Sequence, residues 1–518
     1  MEYLVGIDLG STSLKVCIYD RKGSLVAKAS EPTQRYHPNA SHPEWTIWHP
    51  DQIWGGVAEA TKRAVAQLAH VEHIQAVSVT GMSMDGVPVD ENGKWLYPFI
   101  SWLDPRTEPQ RQWWLQHIGA EEQFARTGNP LRHFCPALRV LWMMEHEPEI
   151  MARTAKWVLI EDYVNLLLCG RLATDYTMAS CTLLFDLHDL KWSDKLLNLS
   201  GIARSLWADA YASGTVLGEI TSTAAEMTGL PVGVPVVLGG QDYLCGALPV
   251  GGFRPGRVLD LTGTWEVIQV ALTEPKVCDA AQEMGMMLQP HVASDRYAVW
   301  AGAVAADMLE WYRKEFGSEA SRLAEEDGGT DWDYLMRDAA SAPIGCNGVM
   351  FLPHFSGASF PSFDTASLGA FVGVSNRASH RDMLRAIMEG LDFQFLEMIT
   401  AIENCTGVDQ GTVVALGGAV RNEFWMQHKA DVLGRSIEVQ QVEEATALGA
   451  AMLAGIGIGM YSDEEDAFDH VKKEGTLYQP NLRTSPLYRD LFEIYLQLYP
   501  TLKSVSHQIS ANLTKHSL

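Results

Sequence analysis

The sequence predicts an α/β protein made of two similar domains around a central cleft. Three observations point there. Short β-forming runs are mixed with stretches at helical spacing. A strand–turn–strand signature returns halfway along: residues 7–18 read IDLGSTSLKVCI and residues 259–270 read LDLTGTWEVIQV, an offset of 252 in a chain of 518. Asp8 matches Asp260, Leu9 matches Leu261 and Thr12 matches Thr264. Such a repeat places two like units side by side; two unrelated strand–turn–strand units are the alternative. Third, Pro249-Val250-Gly251-Gly252-Phe253-Arg254-Pro255-Gly256 is dense in Gly and Pro, as a linker or hinge is, and divides the chain into 1–250 and 251–518.

The elements follow in order. Residues 3–7 form a short apolar strand that ends at Asp8, and Gly10-Ser11-Thr12-Ser13 has turn chemistry. Residues 14–19 make a second strand, Asp20-Arg21-Lys22-Gly23 a turn, and residues 24–29 a third strand. Ile53, Trp54, Val57, Ala60, Ala64, Val65 and Leu68 fall at helical spacing, with Asp51 placed to cap. Residues 74–79 read as a buried strand, as do residues 234–238. The uncharged stretch 445–462 carries four glycines and reads as a buried helix plus turn, not a membrane span.

Composition narrows the function. Lys+Arg 39 against Asp+Glu 64 leaves a net charge of −25, which argues against a nucleic-acid or anionic-membrane surface. A local pocket for a phosphorylated small molecule remains compatible. The eight cysteines lie no closer than twelve residues apart, so there is no CxxC and no zinc spacing. The start, MEYLVGIDLG, has no cationic region of the kind that opens a secretory leader, and the cytoplasm is expected. No GxxxxGK[ST], HExxH or GxSxG with triad context occurs. Gly455-Ile456-Gly457-Ile458-Gly459 follows a helical pattern, not a strand, and is rejected as a dinucleotide fingerprint.

Five segments can carry chemistry. Asp8, at the end of a buried strand, can hold Mg²⁺ directly or through water, because that ion prefers one or two carboxylates plus phosphates. The turn after it, with Gly10, Ser11, Thr12, Ser13 and then Lys15, offers N–H groups and hydroxyls to phosphate oxygens; a plain hairpin is the alternative. Gly263 and Thr264 form the mirrored turn, or an ordinary tight one. In Leu238-Gly239-Gly240-Gln241-Asp242-Tyr243, two glycines allow close approach to the backbone. Asp242 can then accept a proton from a substrate hydroxyl, or merely cap a helix. Gly417 and Gly418, with Asn422 after them, suit a flat purine, though such a turn also makes an ordinary connection. Met84 and Asp85, with Trp102 and Asp104, offer the carboxylates and indole that grip a sugar, or are solvated loops.

Taken in order, these segments resemble the FGGY carbohydrate kinases of the actin/hexokinase/Hsp70 ATPase superfamily. The resemblance spans residues 3–460. It rests on GIDLGSTSLKVCIYD, SWLDPR at 101–106, TDYTMASCTLLFDLHDLKWSDKLL at 174–197 and GGQD at 239–242. GVMFLPHFSG at 348–357, LGGAVRNEFWMQHKADVLGR at 416–435 and EEATALGAAMLAGIG at 443–457 complete it. It implies two ribonuclease-H-like domains, ATP with Mg²⁺ in the cleft, and phosphorylation of a sugar or polyol hydroxyl. Asp242 is then the catalytic base and Asp8 stands near metal and phosphates. Thr12 and Thr264 match the phosphate loops, Gly418 and Asn422 the adenosine turn, and Met84 and Asp85 the acceptor pocket, with Tyr243 beside it.

Three departures stand out. Relatives often carry Gly-Glu-Arg-x-Pro where this chain has Gly357-Ala358-Ser359-Phe360-Pro361. The Met-His-Gly usual in xylulose kinases is Met84-Asp85-Gly86. The second phosphate loop continues into Trp265-Glu266, as in fuculose and rhamnulose kinases. The expected function is therefore phosphorylation of a small ketose, a xylulose-like pentulose or a deoxyketose. A kinase of a glycerol- or erythritol-like polyol and a non-catalytic sensor on the same fold are the alternatives. Nucleic acid and membrane are not expected partners, and a homodimer is left open.

Overall fold

The computed structural model describes residues 2–263, 265–409, 411–471 and 475–516. Two mixed sheets form its frame. The first is built from β1 (Tyr3–Leu9), β2 (Ser13–Asp20), β3 (Leu25–Pro32), β4 (Ile74–Gly81), β5 (Val216–Glu219) and β6 (Pro235–Gln241), in the order β5-β6-β4-β1-β2-β3. β1, β4 and β6 run parallel, whereas β1-β2, β2-β3 and β5-β6 are antiparallel. The second is built from β7 (Arg257–Thr262), β8 (Trp265–Leu272), β9 (Met287–Pro290), β10 (Tyr297–Val304), β11 (Thr412–Gly417), β12 (Ile437–Gln440) and β13 (Gly475–Tyr478). Its order is β9-β10-β8-β7-β11-β12-β13, with β7, β11 and β12 parallel. Strand for strand, β3-β2-β1-β4-β6 and β10-β8-β7-β11-β12 share order and direction. The repeat legible at residues 7 and 259 is thus a repeat of whole folding units.

The central strands are buried on both faces, which is why β1 reads as a continuous apolar run. One face of the first sheet is covered by α1 (Pro50–Val65) through Ile53, Val57, Ala60 and Ala64. The other receives α5 (Ala445–Gly457), a helix apolar on every side and therefore wholly enclosed. Gly6 permits this contact: a Cβ there would stand 1.9 Å from the Ala447 carbonyl oxygen. In return α2 (Asp242–Ala247) and the turn after it set Ala247 and Val250 against Leu259, Val414 and Leu416 of the second sheet. Each half thus lends the other a helix, and the two helices meet where a Cβ on Gly449 would lie 1.8 Å from the Cys245 carbonyl oxygen.

Local details depart from the sequence reading. Asp51 is not the cap of α1: His49 occupies that position without a side-chain bond, and the Asp51 carboxylate accepts the Trp95 indole N–H at 2.7 Å. Leu68 lies beyond the end of α1. The Gly/Pro segment at 249–256 is no loose linker. Pro249, Val250 and Phe253 are buried, because the chain passes there from α2 directly to β7. All eight cysteines are free thiols. Among the described residues no helix is long and apolar enough to cross a membrane.

Candidate active site

Three parallel strands of the first sheet end side by side. Asp8 on β1 and Gly240 on β6 both pair with Thr80, on opposite sides of β4, and Gln241 pairs with Gly81. The Thr80 hydroxyl donates to the Gly240 carbonyl at 2.6 Å. Neighbouring strands lie about 4.8 Å apart, so this register delivers Asp8, the Met84–Asp85 segment and Asp242 to one carboxyl edge, where open α/β sheets bind ligands. Gly239 allows the β4–β6 approach: a Cβ there would be 2.0 Å from the Val79 carbonyl oxygen.

Asp242 opens α2, and Gln241 holds the capping position, so Asp242 is not the cap. Its Oδ1 accepts the Tyr243 N–H at 2.8 Å. Burial pushes its pKa up to about 6. The residues beside it reach the other half. Gln289 on β9 donates to the Gln241 side chain at 2.5 Å, and the exposed Tyr243 ring lies 6.2 Å from Trp300 on β10. Behind it, the Asp175 carboxylate caps a short helix and holds the Thr177 hydroxyl, which accepts the Gln241 N–H at 2.8 Å. Sequence reasoning missed this support, although Asp175-x-Thr177 ahead of a small-residue run is an N-cap signature.

Asp8 is half-buried, and its carboxyl has no recorded hydrogen bond. Burial, then the Asp242 carboxylate, raise it to about 7, against the pull of Lys15. Among the described residues the hydroxyls of Ser11, Thr12 and Ser13 have no protein partner, and the turn is pinned by Thr33, whose hydroxyl donates to the Gly10 carbonyl at 2.6 Å. Lys15 departs from expectation: it is not a free cation for phosphate. Its ammonium sits opposite Asp8 in the β1–β2 ladder and pairs with Glu444, just ahead of α5, at 2.7 Å. The charge is spent on binding the two halves together.

Asp85 is fully buried. Its Oδ2 accepts the Trp48 indole N–H at 2.7 Å, while Oδ1 lies 3.7 Å from Arg139 and accepts no hydrogen bond. Burial raises it to about 6 despite Arg139 and Trp48. Arg139, itself fully buried, also donates to the carbonyls of Met84 and Ser101. It therefore ties the Met84–Asp85 segment to the loop bearing Trp102. Neither Trp48 nor Arg139 was found from sequence, since each lies far along the chain on an ordinary apolar run. Trp102 and Met84 are half-buried, with the Trp102 ring edge-on to Phe134. Asp104 is fully buried. Its two oxygens take the Arg106 guanidinium at 2.9 and 2.6 Å and the Thr46 N–H at 2.7 Å, all in the interior. These bonds fix the shape of the loop.

The second sheet presents the matching edge. Thr262 pairs with Gly417, so the turn at Gly263 adjoins Gly417 and Gly418. Thr264 lies outside the described residues. Gly417 has φ 110°, and a Cβ would sit 2.1 Å from the Thr262 carbonyl oxygen, so only glycine fits. Gly418 is exposed with open space around it. Asn422 caps the next helix, α4 (Glu423–Leu433), its carbonyl oxygen accepting the Trp425 N–H at 2.9 Å. Below the turn, Lys429 of α4 pairs with Asp260 on β7 and Glu266 on β8, both at 2.5 Å and all three buried.

Two like α/β units, one with acidic residues gathered at a shared strand edge and the other with a glycine turn at the corresponding edge, make up the actin-like ATPase fold. Comparison with known proteins agrees. Residues 3–249 match the N-terminal domain of the FGGY family of carbohydrate kinases and residues 261–458 its C-terminal domain. This chain belongs to that family and is a carbohydrate kinase. It is 28% identical over 512 residues to the xylulose kinase of Bacillus subtilis strain 168, covering 98% of each chain. It is 28% identical to the L-fuculokinase of Escherichia coli K12, covering 92% of this chain and 97% of the relative. The crystal structure of xylulose kinase from Rhodospirillum rubrum superposes with TM-score 0.88 at 28% identity, covering 98% of this chain and 100% of that one.

Proposed function

We propose that this sugar kinase transfers the γ-phosphoryl group of ATP to a hydroxyl of a small neutral ketose, a xylulose-like pentulose or a deoxyketose, with Asp242 as general base. The carrying observation is the common edge of Asp8, Asp85 and Asp242, set by the register of β1, β4 and β6. Residues 1–250 supply the acceptor site and first phosphate loop, and residues 251–518 the nucleotide site.

In the proposed step the sugar hydroxyl gives its proton to the Asp242 carboxylate as its oxygen bonds to the γ-phosphorus. The bond from that phosphorus to the β–γ bridging oxygen breaks, and ADP leaves. A loose transition state lets the proton depart late, so a base with a pKa of about 6 suffices. The Tyr243 N–H fixes one oxygen of Asp242 and leaves the other to the substrate. Asp85 Oδ1 faces Arg139 at 3.7 Å, beyond hydrogen-bond length, which leaves it able to accept from a sugar hydroxyl. The neighbouring cation, Arg139, is committed to Asp85 and two backbone carbonyls, which favours a neutral acceptor over an acid.

The donor set fits Mg²⁺. Asp8 has no protein donor, is raised by the nearby Asp242, and stands beside free hydroxyls, an all-oxygen environment that a hard cation would relieve. Asp8 would hold it directly or through water; when bound, the ion neutralises charge on the phosphates. Gly417 and Gly418 let the nucleotide approach the backbone, and the exposed hydroxyl of Thr12 adjoins its phosphates. The cytoplasm is the proposed location. A panel of pentuloses, deoxyketoses, aldonates and polyols in a coupled ADP assay tests the reading. Ketose-stimulated turnover is expected; turnover with aldonates or polyols alone would overturn the acceptor, and none with any sugar would overturn the activity.

A further inference from the structure

A cavity of about 280 Å³ lies in the second half, away from the edge that carries Asp8, Asp85 and Asp242. One wall is the segment around Ser359 and Phe360; another is α3 (His380–Thr406), which contributes Gln394 and Glu397. The third comes from the C-terminal helices Ser485–Tyr495 and Leu498–His516, with Tyr495 and Tyr499.

Two of its most buried polar groups are unspent, while the Tyr499 hydroxyl donates to Asp364 at 2.9 Å. Gln394 is 3% exposed and Tyr495 2% exposed, yet the Gln394 carbonyl oxygen and the Tyr495 hydroxyl have no hydrogen-bond partner. Burying such groups unpaired is costly, and a ligand with hydroxyls would recover that cost. Glu397 has no cation and no recorded hydrogen bond, and burial raises it to about 7. His354 uses one ring nitrogen on the Ser367 hydroxyl at 2.7 Å, and burial lowers it to about 4, so it is neutral. No lysine or arginine lines the cavity. Aromatic faces from Phe360, Tyr495 and Tyr499 complete it.

The sequence explains the space. Ser359 falls in the segment where relatives often carry Gly-Glu-Arg-x-Pro, and here Ala358 and Ser359 replace the two long charged residues. Ser359 and Glu397 both line the cavity, so the short hydroxyl leaves open volume on the wall they share.

We propose that this cavity is a second carbohydrate site, separate from the acceptor site, that binds a neutral monosaccharide or polyol. Amide, phenol, imidazole and carboxyl groups offer donors and acceptors to several hydroxyls, and the rings take the C–H face. The absence of lining cations disfavours sugar phosphates and acids. The same segment continues to Phe363, whose ring lies 5.1 Å from the Arg132 guanidinium of the first half. A ligand there braces a contact that spans the two halves.

The test uses full-length protein carrying ¹³C-labelled tyrosine, titrated with xylitol, D-xylose and glycerol. Saturable shifts of the Tyr495 and Tyr499 ring signals are expected with at least one of them. Ser359→Arg, which fills the space and pairs with Glu397, should abolish those shifts while keeping kcat and the acceptor KM within about twofold. Glu397→Gln, which keeps the cavity's shape and neutrality, should retain them. No shift at Tyr495 with any of the three would overturn the proposal. So would shifts unaltered by Ser359→Arg, or shifts produced by ethanolammonium and not by the polyols.

Discussion

Burial, and then the Asp242 carboxylate, raise the pKa of Asp8, although 234 positions separate the two acids in the chain. The cause is topological: β1 and β6 flank β4 on opposite sides and run the same way, so their carboxyl ends open on the same edge. A pair of acids held there is costly unless its charge is used. Asp242 must be ionised to accept a proton, and its pKa is raised to about 6. Turnover should therefore rise with pH through about 6 and level off above it. Asp242→Asn should lower kcat by about 10²–10⁴-fold and remove that acid limb, with ATP binding retained. Initial rates from pH 5 to 8, with nucleotide affinity measured by calorimetry, check both. An acid limb surviving in the variant would assign it to another group.

Gly417 and Gly418 separate backbone geometry from ligand crowding. At Gly417 an added Cβ meets the Thr262 carbonyl at 2.1 Å with φ 110°, so Gly417→Ala should cost about 1–3 kcal/mol and displace the turn. At Gly418 the backbone is ordinary helical and nothing lies near the Cβ, so Gly418→Ala should melt with the parent protein. Any rise in the ATP KM of Gly418→Ala then reports contact with nucleotide alone. Differential scanning calorimetry beside initial-rate kinetics distinguishes the two.

What the sequence disclosed follows from where the signal lies. Asp8, Asp242 and the Gly417-Gly418 turn end strongly apolar strands, and a strand end is a local pattern. The repeat of Asp8 at Asp260 correctly announced a second sheet of the same topology, yet the two acids differ in use. Asp260 is locked to Lys429, whereas Asp8 is open, and that difference depends on a residue 169 positions away. Lys15 and Asp104 have partners that the sequence did not show, since Glu444 and Arg106 are held against them by tertiary packing. Arg106 stands only two residues from Asp104, but the enclosure that makes the pair structural comes from Trp45 and Trp142, on which the guanidinium stacks at 4.1 and 4.9 Å. Arg139 and Trp48 gave no local sign at all.

Lys429 ties together the two strands that flank the turn at Gly263. It joins Asp260 and Glu266 across the β7–β8 hairpin, and the burial of Glu266 raises that carboxyl against the pull of the ammonium. Lys429→Met removes the only charge that compensates these two acids within the triad. It should destabilise the protein by roughly 3–5 kcal/mol, the usual cost of breaking a buried pair from one side. Adding Glu266→Gln and Asp260→Asn should recover part of that loss, and a multiple-mutant cycle in urea measures the coupling. An ATP KM raised more than the acceptor KM in Lys429→Met would trace the effect to the turn at Gly263.

Glu161 gives the last prediction, and its sign is opposite to that of a salt-bridged acid. The side chain is fully buried, with neither oxygen hydrogen-bonded, close to Asp175 and Asp162. Burial, then those two acids, raise its pKa well above the ordinary carboxylate range. The folded protein therefore keeps a proton that the unfolded chain gives up near pH 4. Between that pH and the raised value the folded state binds more protons, so stability falls as pH rises. Glu161→Gln imitates the protonated acid and removes this site's part of the fall. Its melting temperature should match wild type near pH 4 and exceed it increasingly toward pH 9, as calorimetry across that range will read. A variant that melts below wild type at pH 9 would mean that Glu161 is ionised in the folded protein.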